Sequence, residues 1–316
     1  MPGAKERELK RRIASVQSTK KITRAMELIA ATRVVKAEQR ANAARPYARH
    51  ITAVIENLAA GGASSDHPLL RDVENVSRTA VIALTSDRGL AGAYNAGVIR
   101  AAEKEVMAAQ SAGGDYSLVL VGKKASDYFR FRGYHIDAEY KGMSDKPTYE
   151  DAREVAEAVV AQFESAGVDR VELVYTEFIT MGTQRVTVRR YLPLSATKTM
   201  AEAGGGDAAQ LASFEFEPSA DSVLESLLPR YCESRLFSAM LEAAASEHAS
   251  RQRAMKAATD AAEDLIHNLT REMNQARQDG ITTEIMEIVG GAEALSDDDD
   301  VDFAQLLEQT QEASSR

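Results

Sequence analysis

The chain has 316 residues, of which 44% are hydrophobic and 6% are aromatic, and its formal net charge is -10. This length can bury about two or three domain cores, and this hydrophobic content excludes a disordered protein. The acidic balance argues against general nucleic-acid binding. The single cysteine, Cys232, excludes an internal disulfide. The first residues lack a secretory h-region, and no apolar run approaches the roughly 20 residues that span a bilayer.

The charge is distributed unevenly along the chain. Residues 1–50 hold thirteen Lys and Arg against four Asp and Glu, whereas residues 293–316 hold eight acidic residues against one Arg. The two ends therefore face different surroundings. The basic charge of the first 50 residues has three possible interpretations: a solvated helix face, a surface for an acidic protein partner, or a nucleic-acid contact. The last is disfavoured because no aromatic residues interleave for base stacking.

Residues 1–60 are predicted to form one long helix, covering residues 3 to about 58. Its apolar stripe contains Leu9, Ile13, Val16, Ile22, Met26 and Ile29 at helical spacing. Pro46 is expected to kink the helix locally, and Gly61-Gly62 ends it.

Residues 76–212 are predicted to form an α/β domain. Apolar, β-rich runs at 79–85, 117–121, 134–140, 171–179 and 186–192 alternate with helical stretches at 89–110, 124–132 and 149–166. This alternation predicts a largely parallel, Rossmann-like sheet, with the last two strands antiparallel. The glycine-rich stretch in 201–212 is expected to be a flexible loop.

Residues 213–295 are predicted to contain a second long helix, from residue 219 to about residue 289. Its predicted seam is Met255, Ala258, Ala262, Leu265, Leu269, Met273 and Ala276, close to a heptad repeat. Because the first helix enters the α/β domain and the second leaves it, the two should run antiparallel. Their lengths, about 80 and about 105 Å, leave an uncovered apolar tip on the second helix. That tip, Ile281, Ile285, Met286, Ile288 and Val289, predicts a partner that encloses it.

The sequence contains no recognisable catalytic, metal or cofactor site. The five histidines have no metal-ligand spacing, and the turn Thr85–Gly92 lacks both the dinucleotide fingerprint and the P-loop pattern. This turn is interpreted either as a strand-to-helix turn capped by Asp87 or as a docking surface formed by Ser86, Asp87 and Arg88.

Several segments, in order along residues 3–295, resemble the gamma subunits of bacterial F-type ATP synthases. They are Ile13–Glu27, Ala44–Ala48, Thr85–Gly92, Phe214–Pro218, Arg230–Ser234, Ala254–Asp260, Ala276–Gln278 and Glu287–Ala292. Each motif is modest alone, but together they are specific. The resemblance implies a long antiparallel coiled coil with a Rossmann-like domain, acting as the central rotor shaft. Such a subunit has no active site and no cofactor, and it transmits rotation of the membrane c ring to three catalytic beta subunits.

The resemblance also implies partners and contact residues. The partners are three alpha and three beta subunits, the epsilon subunit and the c ring, without nucleic acid. The implied location is peripheral, on the cytoplasmic face of the bacterial plasma membrane, with membrane contact only through the c ring. The implied beta contacts are Met26, Glu247, Arg251, Arg277, Gln278 and Thr282, and the implied c-ring contacts are Phe214, Phe216 and Glu217.

The chain departs from this family pattern in a few places. Ala91 stands where the family often has cysteine, and Pro229 stands where it usually has a helix former. Residues 296–316 form an acidic extension beyond the usual end of the family, expected to be disordered and dispensable. The alternative functions are a coiled-coil adaptor with a ligand-binding α/β domain and a nucleic-acid-binding protein.

Overall fold

The computed structural model describes residues 2–60, 67–71, 73, 75–194 and 219–314. A long helix lies at each end of the chain, α1 over Pro2–Ala60 and α5 over Ala220–Ser314. Between them is one mixed sheet with helices. The chain divides into a terminal unit, Met1–Ala25 with Lys256–Arg316, and a central unit, Met26–Met255.

The central unit contains the predicted α/β domain. Its strands and helices are β1 (Arg78–Leu84), α2 (Tyr94–Ser111), β2 (Asp115–Val121), α3 (Lys123–Phe131), β3 (Ala138–Tyr140), α4 (Tyr149–Glu164), β4 (Arg170–Phe178) and β5 (Gln184–Leu192). A short 3-10 helix, Pro68–Leu70, precedes them. The strand order is β3-β2-β1-β4-β5. Neighbouring strands pair in parallel except β4 and β5, which are antiparallel. The predicted fold class is confirmed.

Alternate residues of the central strands enter two cores, one on each face of the sheet. Ile82 packs in a cluster with Phe163 of α4 and with apolar residues of α5 such as Leu236. Val81 packs on the other face, in a cluster with Phe129 of α3. Burial on both faces explains why β1 is an unbroken apolar run rather than an alternating one.

Two predicted boundaries in this domain are wrong. The helix expected from Gly89 begins at Tyr94, because Leu90 and Gly92 have left-handed backbone angles, φ 64° and 56°, which interrupt a right-handed helix. The strand expected over Tyr134–Tyr140 is reduced to Ala138–Tyr140. Tyr134 instead packs edge-on against the ring of Phe129, at a centroid distance of 5.3 Å.

In the terminal unit, α1 and α5 form an antiparallel pair. Leu9, with Ile13 and Val16, clusters with Leu269, Met273 and Ala276. Further along α1, Lys20 forms an ion pair with Glu263 at 3.1 Å, and Thr23 contacts Thr259. As the residue number increases along α1, the residue number of its contact on α5 therefore decreases, which is the pattern of an antiparallel pair.

The buried positions of both helices follow a strict heptad repeat that differs in part from the predicted one. On α5, buried or half-buried residues step by 4 and 3 from Met255 through Thr259, Ala262, Ile266, Leu269, Met273 and Ala276 to Gly280. Leu265, Ile22 and Ile29, assigned to the seam by their apolar character, are instead 44%, 61% and 54% exposed. Thr23 and Thr259 occupy the seam in those regions, so the apolar pattern alone gives the wrong register.

The long helices tolerate residues that were expected to weaken or end them. Pro46 lies inside α1, and Pro229 lies inside α5. The second helix also continues past its expected end near residue 289 to Ser314. The acidic extension is therefore helical rather than disordered in this structure. Its sequence supports this, since Ala304-Gln305-Leu306-Leu307-Glu308 consists of strong helix formers.

Within the central unit, α1 and α5 also lie against each other beside the sheet. Val34 and Ala37 of α1 pack with Ala245 and Ala249 of α5 and with Phe178 at the end of β4. Three of these five residues are alanines, whose small side chains allow helices to pack closely.

Candidate functional site

The turn between β1 and α2 is held by its own side chains. Ser86 is buried, its hydroxyl donates to the Arg88 carbonyl oxygen at 2.6 Å, and its N–H donates to Asn95 Oδ1 at 2.9 Å. The Asp87 carboxylate accepts from the N–H groups of Lys123, Gly142 and Ser144 at 3.0–3.2 Å. Asp87 is therefore a capping residue, as predicted, but it caps α3 rather than the helix that follows it. Arg88 is the exposed member of the predicted docking set.

This turn packs directly on α5. A side-chain carbon at Gly92 would lie 3.6 Å from Ala254 Cβ, and Leu90 is 60% exposed despite its left-handed backbone. An apolar residue in that backbone region is uncommon and often marks a functional segment. The turn thus has an inner side against the helix and an outer side at which Arg88 and Leu90 are exposed.

Glu247 and Arg251, predicted as contacts with another subunit, lie under this turn. Glu247 is 1% exposed and Arg251 is 8% exposed. Arg251 Nη2 donates to Glu247 Oε1 at 2.7 Å and to the Gly89 carbonyl oxygen at 3.3 Å. Burial raises the pKa of Glu247, while the adjacent Arg251 guanidinium opposes that rise. In this chain, therefore, Arg251 contacts the turn directly and Glu247 holds Arg251 in place.

His248 connects Arg251 to a loop of the α/β domain. Its Nε2 lies 3.1 Å from the Asp145 carbonyl oxygen, and its Nδ1 lies 3.4 Å from Arg251 Nη1. Burial lowers the pKa of His248, although Asp145 opposes this, so the neutral ring is favoured. A neutral ring can donate from Nε2 to the carbonyl and accept from Arg251 at Nδ1.

Asp145 extends the same network to α1. Arg33 Nη1 lies 2.6 Å from Asp145 Oδ1 and 2.5 Å from Oδ2, which forms a close ion pair. Further along α1, Arg40 donates to the Pro147 carbonyl oxygen. We name the five residues Arg33, Asp145, Glu247, His248 and Arg251 the clasp. Arg33, Asp145 and His248 were not predicted from the sequence, because the contacts of Asp145 with Arg33 and with His248 join residues more than 100 positions apart.

Three members of the clasp carry potential metal ligands. Asp145, Glu247 and His248 each offer a ligand atom within 4.8 Å of the others, and Glu247 Oε2 is buried without a hydrogen-bond partner among the described residues. However, each carboxylate faces an arginine, and both ring nitrogens of His248 already have partners in the described structure. The two guanidinium groups already balance the charge of both carboxylates, so the side chains fit an ion-pair network rather than a metal centre.

The predicted tip of α5 lies in the terminal unit. Arg277, Gln278 and Thr282 are exposed. The apolar residues of the same stretch are 52–72% exposed: Ile281, Ile285, Met286, Ile288 and Val289. Five exposed apolar side chains close together on one helix are typical of an interaction site. Met26, the remaining predicted contact in the described structure, is half-buried on α1.

Phe214, Phe216 and Glu217, the predicted c-ring contacts, lie outside the described residues, as does the loop at 201–212. Among the described helices, none combines the length and the apolar content that crossing a membrane requires.

Comparison with known proteins identifies a family described as ATP synthase, whose model matches residues 5–295. The ATP synthase gamma chain of Frankia casuarinae is 53% identical over 294 residues, covering 92% of this chain and 97% of that protein. The ATP synthase gamma chain of Streptomyces coelicolor is 47% identical over 299 residues, covering 93% and 97%.

Two solved structures share the fold. A chain of the Euglena gracilis mitochondrial ATP synthase has a TM-score of 0.62 at 16% identity, covering 93% of this chain and 95% of that one. A chain of the Tetrahymena thermophila mitochondrial ATP synthase, from its central stalk and c ring, has a TM-score of 0.57 at 24% identity. That match covers 75% of this chain and 99% of the other.

Proposed function

Because this chain belongs to the family of ATP synthase gamma chains, we infer that it is the central-stalk rotor subunit of a proton-driven ATP synthase. It is a non-catalytic subunit of that complex and couples proton flow to ATP synthesis. The observation that carries the function is the family match over residues 5–295, which includes both long helices and the domain between them.

The exposed tip of α5 supports a mechanism in which other subunits enclose part of this chain. An apolar surface on a single helix is costly in water and is stabilised when other chains enclose it. We propose that three alpha and three beta subunits surround this tip, with Arg277, Gln278 and Thr282 contacting beta. An asymmetric shaft that turns inside the ring would bring each beta subunit through its conformations in sequence.

Contacts at the other end of the rotor are proposed from the family resemblance. Phe214, Phe216 and Glu217 would meet the polar loops of the c ring, with the epsilon subunit beside the α/β domain. The complex would lie on the cytoplasmic face of the bacterial plasma membrane, and this chain would reach the membrane only through the c ring. One charge moving across 100 mV supplies about 2.3 kcal/mol, so several proton transfers must be combined for each ATP.

The contacts around the turn suggest how the shaft helices of the central unit act on the beta subunit. Glu247 and Arg251 are buried, and Arg251 donates to the carbonyls of the turn. We propose that these two residues act on the beta subunit through the turn, whose Arg88 and Leu90 are exposed. Met26 is half-buried on α1, and we propose that it contacts the beta subunit directly.

The test is replacement of the polar tip residues in the whole complex. The double variant Arg277→Ala/Gln278→Ala should lower both ATP synthesis and ATP hydrolysis without unfolding the chain, because both side chains are exposed. Arg153→Ala/Glu157→Ala is the matched control, since it removes an exposed ion pair of 2.7 Å on α4. Such pairs contribute little to stability. Unchanged turnover in the tip variant would exclude these residues from coupling.

The same preparation tests the rotor role itself. Mild detergent extraction should yield this chain in a complex with three alpha and three beta subunits, by mass analysis. A free homodimer, as expected of a coiled-coil adaptor, would contradict the proposed function.

A further inference from the structure

We propose that the clasp, Arg33, Asp145, Glu247, His248 and Arg251, is the positioning group that passes torque between the α/β domain and both shaft helices. This proposal rests on the rotor function and specifies where, within this chain, the turning force crosses from one part to another. It assigns roles to Asp145 and Arg33 as positioning residues, and it assigns an internal role to His248.

The clasp joins four separate parts of the central unit. Arg33 comes from α1, Asp145 comes from the loop between β3 and α4, and the other three residues come from one face of α5. The fourth part is the turn after β1, whose carbonyl oxygens at Arg88 and Gly89 accept from Arg251. A large apolar cluster also joins both shaft helices to the domain, but its contacts are non-directional, whereas those of the clasp are directed hydrogen bonds and ion pairs.

The loop that carries Asp145 is itself fixed to the sheet. The Asp87 carboxylate accepts from the N–H groups of Gly142 and Ser144 and also from Lys123 at the start of α3. In addition, the Asp87 N–H donates to Ser144 Oγ at 2.9 Å. A force applied to the sheet is therefore carried through Asp87 to the loop, and from Asp145 to both helices.

Other directed contacts join the domain to one shaft helix at a time: on α5, Ser246 donates to the Thr176 carbonyl oxygen and Glu233 accepts from Tyr149, and on α1, Arg40 donates to the Pro147 carbonyl oxygen. The apolar contacts resist sliding less well. Beside the clasp, the shaft packs through Val34, Ala37, Ala245 and Ala249 against Phe178. Apolar contacts between small side chains are non-directional and favour burial rather than one lateral position. Charge-assisted hydrogen bonds depend on distance and angle, so they oppose a lateral shift.

Burial increases the specificity of the α5 part of the clasp, whereas the side chains of Arg33 and Asp145 are 40% and 32% exposed. Glu247 and His248 are almost fully buried, and a carboxylate or guanidinium that lost its partner there would be costly to leave unpaired. A shift of one helix would separate several pairs at once, because Asp145 contacts both Arg33 and His248. The arrangement thus favours one relative position of α1, α5 and the domain loop.

The experiment compares ATP hydrolysis with ATP-driven proton pumping by the whole ATP synthase in inverted membrane vesicles. Asp145→Asn keeps the size of the side chain and removes its charge. We expect hydrolysis to continue while protons pumped per ATP fall about threefold or more, the size of effect typical of losing one member of a coupling network. Asp145→Glu, which restores the charge, should recover most of the pumping.

The matched control is Arg185→Gln. It breaks an ion pair to Glu177 of 2.7 Å that lies within the β4–β5 hairpin and does not reach the shaft. Its ratio of pumping to hydrolysis should equal that of the wild type. If Asp145→Asn prevents assembly, Arg33→Gln provides the same measurement from the α1 side of the pair.

Two results would overturn the proposal. If pumping and hydrolysis fall together in proportion to the amount of assembled complex, the clasp only stabilises the fold. If the ratio stays at the wild-type value in Asp145→Asn and Arg33→Gln, torque crosses elsewhere. Either result leaves the rotor role intact, because that role is tested separately by the composition of the complex and by the tip variant.

Discussion

The Thr259 hydroxyl on α5 donates a hydrogen bond of 2.8 Å to the Thr23 hydroxyl on α1, and both side chains are buried in the seam of the terminal unit. Thr23 in turn donates to the Lys20 carbonyl oxygen at 3.1 Å. The two hydroxyls therefore form a short directed chain across a seam that is otherwise mostly apolar. A polar pair at seam positions specifies which residues of two long helices lie opposite each other.

The Thr pair should show measurable coupling. We expect Thr23→Val alone to lower the free energy of unfolding by about 1 kcal/mol, because the Thr259 hydroxyl loses an acceptor. Thr259→Val alone should have a similar effect, and the double variant should cost less than the sum of the two. Urea unfolding of the full chain, followed by circular dichroism, measures all three. Strictly additive losses would show that the two hydroxyls do not interact.

This pair also explains which part of the shaft the sequence could not predict. The length of α1, its antiparallel direction and the apolar members Leu9 and Leu269 follow from periodicity and connectivity. The register near Thr23 does not, because outward-facing Ile22 is more hydrophobic than the residue that occupies the seam. In the proposed rotor, an apolar outer face would be covered by other subunits, so the hydrophobicity of a residue would no longer show whether it faces the other helix.

Gly122, just after β2, should be intolerant of any side chain. Its φ is 97°, and an added Cβ would lie 2.2 Å from the Thr85 carbonyl oxygen. Gly122→Ala should therefore destabilise the central unit by about 4 kcal/mol or more, in the range of severe packing defects. Thermal unfolding of the full chain, followed by tyrosine fluorescence, provides the measurement.

Gly133 is the matched control for that substitution. It has a similar left-handed backbone, with φ 77°, but none of the described atoms lies within 4 Å of an added Cβ. Gly133→Ala should cost only the backbone strain, about 1–2 kcal/mol. Equal losses in the two variants would mean that strain, rather than the close approach to Thr85, determines the need for glycine at position 122.

Cys232 should be unreactive in the folded chain. It is fully buried on α5, and burial raises the pKa of its thiol to about 12. Since the thiolate is the reactive form, iodoacetamide should label it only after denaturation. Mass spectrometry of the native chain should show no adduct, whereas the exposed Ser111→Cys variant should take one label. Rapid native labelling of the wild type would contradict this burial.

The candidate site was predictable only where it is local in sequence. A capping role for Asp87 follows from its position after an apolar strand, although the helix it caps does not, and the exposed tip follows from the unequal helix lengths. The links from α5 to the loop and to α1 were not predictable, because pairs such as Arg33 with Asp145 join residues separated by 112 positions. In the sequence, an arginine on a basic helix cannot be distinguished from a solvent-exposed charge, because the carboxylate that pairs with it is far away along the chain.

Asp169 should make the stability of the central unit depend on pH. Burial opposes ionisation of its carboxylate, but hydrogen bonds from the Ser77 and Arg78 N–H groups, at 2.8 and 3.1 Å, outweigh burial and hold its pKa below the usual value. A lowered pKa in the folded state gives stability that is present above the unfolded-state pKa, near 3.9, and is lost as pH falls through the folded-state value.

The variant Asp169→Asn tests that dependence. At neutral pH it should lower the free energy of unfolding of the full chain by about 2 kcal/mol, the usual contribution of hydrogen bonds to a charged group. The difference from the wild type should shrink as the pH is lowered below about 4, because the wild-type carboxyl becomes protonated first in the unfolded chain and, at lower pH, in the folded chain. Urea unfolding at several pH values measures it, and a difference that stays constant with pH would contradict the assignment.

Residues 296–316 should be dispensable for coupling. They lie beyond the family match, which ends at residue 295, although α5 continues through them to Ser314. Deleting 296–316 should leave ATP synthesis by the whole complex unchanged, because the exposed apolar tip ends at Val289 and is retained. A longer deletion from Thr282 removes most of that tip and should abolish coupled synthesis. Loss of synthesis in the shorter deletion would instead assign a coupling role to the acidic extension.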